Sequence, residues 1–286
     1  MKAVVFGASG LLGQALVERL PAAGYVIIGA YRGRAEADIA DTAQVRAILD
    51  ERRPDIVFNA AAFTDVDGAE DQEEASFRAN ALGPEALAQA CAGLGCRLVH
   101  YSTDFVFDGE SPVPYDEFSP PGPQSVYAIG KREGEVRVLR EHPRAQILRV
   151  GCLYGRGGRN FPSTLLRRLR AGETIRADNE RRVSPTWAGE VVQLSARLGR
   201  HDAAGLFHGT AQGDTTWADH ARFLADAAGL PGAVVEGVSF GALKLKARRP
   251  RQSVMVSRRL PEVGLAPLPP WPEHVRGYLA SEAGPT

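Results

Sequence analysis

The chain has 286 residues, with 34 lysines plus arginines against 34 aspartates plus glutamates, so its formal net charge is zero. That length holds one large or two modest domains around a substantial core, and the neutral balance excludes both a protein-wide basic field for nucleic acid and an acidic, solvating role. No run approaches the ~20 apolar residues that span a bilayer, and the start, MKAVVFGASG, runs into a glycine loop rather than a cleavable leader. A cytoplasmic, soluble protein with neither nucleic-acid nor membrane partners is expected.

In chain order, the first half alternates short apolar runs with helical spacing. KAVVFGA, YVIIGAY, DIVFNAA, RLVHYST and AQILRVG read as strands buried on both faces, which favours a parallel sheet. Between them, LLGQALVERLPAAG, DTAQVRAILDERRP, residues 73–93 and residues 126–141 carry apolar positions at helical spacing. Strand–helix–strand repetition predicts right-handed crossovers and an α/β, doubly wound, Rossmann-like sheet. After Gly151 the rhythm breaks into the loop-rich YGRGGRNFP and ADNERRVSPTW, with helical patterns at 161–171 and 187–199. GLFHGTA then reads as a strand and TWADHARFLADAAG as a helix, before a tail rich in arginine and proline from Phe240. The expected organisation is a dinucleotide-binding domain over 1–151, with returning segments near 187–211. A smaller, partly discontinuous substrate lobe takes 152–186 and 212–286.

Cys91, Cys96 and Cys152 form no CxxC pair, and their odd number argues against a disulfide framework; buried free thiols are expected. The histidines are scattered without metal-ligand spacing, so no zinc site is predicted.

FGASGLLG follows the first strand and opens the first helix. Gly7 permits a tight turn, Gly10 lets backbone amides approach a pyrophosphate, and Gly13 lets the helix pack on the sheet; Leu11 and Leu12 belong to the same turn. At the end of the second strand AYRGR has Tyr31 where an acid would hold a ribose 2′-hydroxyl. Arg32 and Arg34 stand where a 2′-phosphate would sit, so NADP(H) is favoured over NAD(H), the alternative being a solvated turn. Asp38, beside Ile39, either lies next to the adenine or caps the helix beginning near Thr42. NAAAFTDVD ends the third strand; Ala60, Ala61 and Ala62 fit a cofactor wall leading to Thr64, although core packing accounts for them as well.

The fourth strand ends in HYSTDFVFDG, at the end of the sheet where ligands bind, so Ser102, Thr103 and Asp104 are expected to face a nicotinamide. VYAIGK then places Tyr127 and Lys131 at i and i+4, on one helix face. By itself this is an ordinary amphipathic pair. Next to a strand-tip hydroxyl it is the apparatus for reducing a ketone: Tyr127 gives the proton, Lys131 and the nicotinamide's positive charge lower the phenol's pKa from ~10, Lys131 also holds the ribose, and Thr103 orients the carbonyl.

These segments, with RPDIVFNAAAFTDVDGAE, NF at 160–161, SPT at 184–186 and RRPRQS at 248–253, resemble the extended short-chain dehydrogenase/reductase superfamily, and most closely the dTDP-4-dehydrorhamnose reductase family. The resemblance runs nearly end to end. It implies NAD(P)H-dependent reduction of the 4-keto group of a dTDP-linked deoxysugar, with Thr103, Tyr127 and Lys131 at the catalytic positions. It further implies a nucleotide-sugar substrate contacted by Thr103, Asp104 and the residue at Cys152. Several positions depart from the family pattern. Phe105 lacks a tyrosine hydroxyl, Cys152 replaces a sugar-contacting tryptophan, and Arg181 and Arg182 replace a glutamine and an aromatic. Ala15, Gly189 and Arg258 stand where some members carry metal-binding glutamates, so no metal is predicted and any homodimer would lack a metal bridge. Arg249 either neutralises a diphosphate or forms a surface ion pair. The alternatives are a non-catalytic NADP-binding subunit resembling that of methionine adenosyltransferase, and a nucleotide-sugar epimerase or dehydratase. For a dehydratase, the second carboxylate expected after Asp104 is missing.

Overall fold

The computed structural model describes residues 1–156, 161–243 and 245–282; Asn160 of the NF pair lies outside them. The chain runs β1 (Lys2–Phe6), α1 (Leu11–Arg19), β2 (Val26–Tyr31), α2 (Thr42–Arg52), β3 (Ile56–Asn59), α3 (Val66–Ala69), α4 (Glu73–Phe77), a π turn over Arg78–Leu82, α5 (Gly83–Leu94), β4 (Arg97–Thr103), α6 (Val126–Glu141) and β5 (Gln146–Val150). It continues through β6 (Leu153–Tyr154), α7 (Phe161–Arg170), β7 (Ile175–Asp178), β8 (Thr186–Trp187), α8 (Ala188–Leu198), β9 (Gly205–His208), α9 (Trp217–Ala227), β10 (Val235–Val238), α10 (Arg259–Glu262) and α11 (Trp271–Glu282).

Six strands form one parallel sheet in the order β2-β1-β3-β4-β5-β9. Its strands are buried on both sides because their residues alternate between two cores. Ala3 and Val5 of β1 pack with Leu12, Leu16, Val191 and Leu194 under α1 and α8. Val4 and Phe6 pack with Leu49, Leu87 and Cys91 under α2 and α5. At roughly 1.5–3 kcal/mol for each large apolar side chain buried, these two layers supply the main favourable term of the fold. From β1 the chain first moves outward to β2, then crosses back to β3 on the other side. A crevice therefore opens beyond the carboxyl ends of β1 and β3.

A third core, with Tyr154, Leu165, Leu169, Ile175, Trp187, Leu224, Val275 and Tyr278, holds the lobe. The lobe carries two short parallel pairs, β7–β10 and β6–β8. Helix α8 and strand β9 return to the large sheet. One tail segment, placed with the lobe by sequence, also packs there: Leu260 and Leu268 are buried in the first core, and Arg259 donates to the Leu206 and Ala204 carbonyls at 3.0 Å. Among the described residues no helix is long and apolar enough to cross a membrane. Cys91 and Cys96 are buried free thiols, whereas Cys152 is only half-buried.

Candidate active site

A cavity of about 1000 Å³ runs along the carboxyl ends of β1 to β5 and beneath the lobe. The glycine turn forms its floor. Gly7 has φ +79°, and a Cβ there would lie 2.4 Å from the Ala61 nitrogen. A Cβ on Gly13 would lie 2.0 Å from the Gly7 carbonyl oxygen. Gly7 and Gly10 line the cavity with Leu11 and Leu12, whereas Gly13 lies behind the turn, so its contribution is the packing of α1 against it. Gly10 caps α1 without any side-chain acceptor, leaving the first amides of the helix aimed into the crevice. An anion is the natural partner for such a terminus, and the open face of Gly10 leaves room for one. The cradle fits a dinucleotide pyrophosphate.

At one end Tyr31, Arg32, Arg34, Asp38 and Ile39 line the wall. The helix cap is Asp41, whose carboxylate accepts the Gln44 amide at 3.0 Å; Asp38 does not have that role. Asp38 instead pairs with Arg34 at 3.2 Å and Arg78 at 3.0 Å, and these guanidiniums hold its carboxyl below the usual range despite partial burial. Arg34 is thus committed to an acid. The carboxylate of Glu36 turns back onto the Arg32 amide at 2.8 Å and stays off the wall, and the exposed Arg32 side chain has no ion pair among the described residues.

Ala61, Ala62 and Thr64 line the middle, held by two buried asparagines. Asn59 accepts the Ala61 amide at 3.1 Å and bonds His100 at 3.0 Å. Asn80, in the π turn, takes the Phe63 amide at 3.0 Å and donates to its carbonyl at 3.1 Å. Helix α6 lies tight against that turn because its small residues face it: a Cβ on Gly134 would sit 2.2 Å from the Asn80 carbonyl oxygen.

Ser125 starts α6 by accepting the Ala128 amide at 3.3 Å, and this fixes where the next two side chains emerge. Tyr127 and Lys131 both reach the cavity, facing Thr103 and Asp104 at the tip of β4. The Lys131 ammonium is buried and donates to the Tyr101 carbonyl at 2.6 Å; burial pushes its pKa down to about 8, partly offset by Glu135. The phenol of Tyr127 is shifted upward by the protein around it. Burial pushes it up to about 12, the Thr103 hydroxyl lowers it only in part, and the Asp104 charge raises it further.

Thr103 donates to Asp104 at 3.1 Å and accepts the Phe105 amide at 3.2 Å. Asp104 is buried against Gly151, where a Cβ would lie 2.7 Å from the carboxyl carbon. Burial lifts Asp104 to about 6, while the hydroxyls of Ser253 and Thr103 and the charge of Arg181 pull the other way. Cys152 lines the cavity in a left-handed conformation, φ +49°, and burial with the neighbouring Asp104 raises its thiol, which favours the protonated form.

Four lining residues were not assigned to the site by sequence reasoning: Arg78, at the Asp38 end, and Val183, Trp217 and Ser253 on the far wall. Ser253 lies in the RRPRQS segment, and Trp217 in a stretch read only as a helix start. Arg78 carried no local signal. Arg249 reaches the cavity but grips Asp67 with two hydrogen bonds, 2.9 and 3.0 Å, and this holds the carboxyl at about 2. Arg181 also faces the cavity, whereas Arg182 pairs with Asp214 and bridges to Gln252 away from it.

The chain is similar to known proteins over its whole length. The model of the RmlD substrate binding domain matches residues 1–283. A probable dTDP-4,6-dihydroxy-2-methyloxan-3-one 4-ketoreductase of Streptomyces antibioticus is 38% identical, covering 100% of this chain and 98% of that protein. The dTDP-4-dehydrorhamnose reductase of Streptomyces griseus is 38% identical over 94% of this chain and 90% of its own. Among solved structures, dTDP-4-dehydrorhamnose reductase from Bacillus anthracis, in complex with NADP, superposes with a TM-score of 0.94 at 31% identity, covering 98% of this chain and 99% of that one. With a Rossmann-like sheet, a glycine cradle at its switch point and relatives matched end to end, the chain belongs to the RmlD substrate-binding-domain family of NAD(P)-dependent oxidoreductases.

Proposed function

We propose that the protein reduces the 4-keto group of a dTDP-linked deoxysugar with NADPH, most simply converting dTDP-4-dehydro-L-rhamnose to dTDP-L-rhamnose. The observation carrying this reading is the convergence of Thr103, Tyr127 and Lys131 in one cavity with the glycine turn. Gly7, Gly10, Leu11 and Leu12 would hold the dinucleotide pyrophosphate, Ile39 and Asp38 the adenosine end, and Ala61, Ala62 and Thr64 the central wall. Bound there, the nicotinamide supplies the hydride.

The chain's own residues do the rest. The Thr103 hydroxyl, held in place by the Phe105 amide it accepts, turns its one proton from Asp104 to the substrate carbonyl oxygen. Tyr127 stays protonated through neutral pH, so its proton is available when negative charge develops on that oxygen. Lys131 stands one turn away, where its ammonium opposes the charge left on the phenolate and can reach ribose hydroxyls. Arg32 favours NADP(H) over NAD(H), because a guanidinium fork pairs well with a 2′-phosphate. The NADP bound to the Bacillus anthracis relative supports NADP(H) binding.

Phe105 stands edge-on to Tyr127, 6.1 Å between ring centroids, where a dehydratase would carry its second carboxylate. The test is NADPH consumption against a panel of dTDP-4-keto sugars. One equivalent oxidised per sugar reduced is expected, and turnover without cofactor consumption would contradict the proposal.

A further inference from the structure

We propose that the substrate's diphosphate is received by Arg181, and not by Arg249, an assignment that rests on the nucleotide-sugar reading above. Both arginines face the cavity on its substrate side. They differ in what they have left to offer. Arg249 meets Asp67 through both terminal nitrogens, NH1 at 2.9 Å and NH2 at 3.0 Å, and NH1 also donates to the Ala247 carbonyl at 3.0 Å. It ties the tail to α3 and has little capacity for a second anion.

Arg181 is anchored the other way round. Only its Nε meets Asp178, at 2.5 Å, and among the described residues no hydrogen bond takes its two terminal nitrogens. The guanidinium lies 4.2 Å over the Phe240 ring, and the Asp178 carboxylate also takes the amides of Glu180 at 2.9 Å and Arg181 at 3.3 Å. Turn, ring and carboxylate therefore fix a fork whose outer edge is unclaimed, and little side-chain entropy remains to be lost when two phosphate oxygens dock on it. Arg181 lines the same cavity as Asp104 and Cys152, so the fork shares it with the tip of β4 where the sugar would react. A diphosphate seated there fixes the distance between the nucleoside and the carbonyl. A glutamine at this position, as the family pattern has, would offer donors without charge.

The experiment is calorimetric titration of the full-length protein with dTDP, alongside ligand-detected NMR with thymidine and titration with NADPH. For R181Q a 10- to 100-fold weaker dTDP affinity is expected, with thymidine and NADPH affinities unchanged. R181K, which keeps the charge but not the fork, should recover part of the loss, and R249Q should lose less than R181Q. The proposal is overturned if R181Q binds dTDP like the wild type, if thymidine weakens in step with dTDP, if R249Q carries the larger loss, or if the wild type fails to bind dTDP. Should dTDP bind as described while no 4-keto sugar is reduced, the ketoreductase reading falls and the Arg181 assignment stands.

Discussion

The two walls of the cavity are built on different physical terms. The sheet wall comes from strand ends and one glycine turn, where backbone geometry dictates residue type: a left-handed Gly7, a Gly13 with no room for a Cβ, small residues along Ala60–Ala62. The lobe wall comes from irregular segments, with Arg181, Val183, Trp217 and Ser253 set by tertiary contacts such as the Val183–Thr215 bridge and the Asp178 turn. On the proposed reading, the dinucleotide, which does not vary, lies on rigid backbone, whereas the wall that would choose the substrate is carried on loops braced by side chains.

The largest effect should come from the junction of the two walls. Tyr127→Phe removes the proton donor while leaving the ring in place, so kcat should drop about 10³-fold with NADPH affinity unchanged; steady-state kinetics and a cofactor titration check both halves. On the sheet wall, Gly13→Ala forces a methyl into the Gly7 carbonyl, and urea unfolding should show a loss of about 3 kcal/mol together with weakened NADPH binding.

At the border, Asp104 gives a pH-dependent contrast. Its carboxyl is raised from the ordinary 3.8 to about 6, so the folded state holds the proton more tightly than the unfolded one. That contribution is fully present below pH 3.8 and is lost as pH rises through 6. Relative to Asp104→Asn, which does not titrate, the wild type should therefore lose roughly 2–3 kcal/mol between those limits, read from unfolding curves at each pH. A flat difference would mean that the carboxylate is better solvated than its burial indicates. The smallest effect belongs to the adenosine end: Arg32→Ala should shift the NADPH-over-NADH preference by about tenfold in kcat/KM, because one charge-assisted contact is lost.

The same contrast explains what could be read from the sequence. The glycine turn, the strands with two buried faces and α6 beginning at Ser125 follow from local rules of spacing and capping, so the doubly wound sheet and the Tyr127–Lys131 face were legible. Asn80 was not, because its clamp on Phe63 depends on a π turn that fits only against Gly130 and Gly134 of a helix far along the chain. The upward push on the Tyr127 phenol was hidden for a related reason. Proximity to Lys131 can be read from i+4 spacing, but burial, the largest of the protein's own effects on that phenol, cannot. For Arg249 the sequence left a diphosphate contact and an ion pair open, and the choice could not be read locally because its partner, Asp67 of α3, lies far back along the chain.

The most direct measurement of the central claim is reduction of a dTDP-4-keto-6-deoxy sugar with NADPH deuterated on the transferring face of the nicotinamide. The account predicts one deuterium at C4 of the sugar product, delivered by the wild type and nearly abolished in Tyr127→Phe. A reduced sugar without deuterium at C4, or equal delivery by the two proteins, would contradict it.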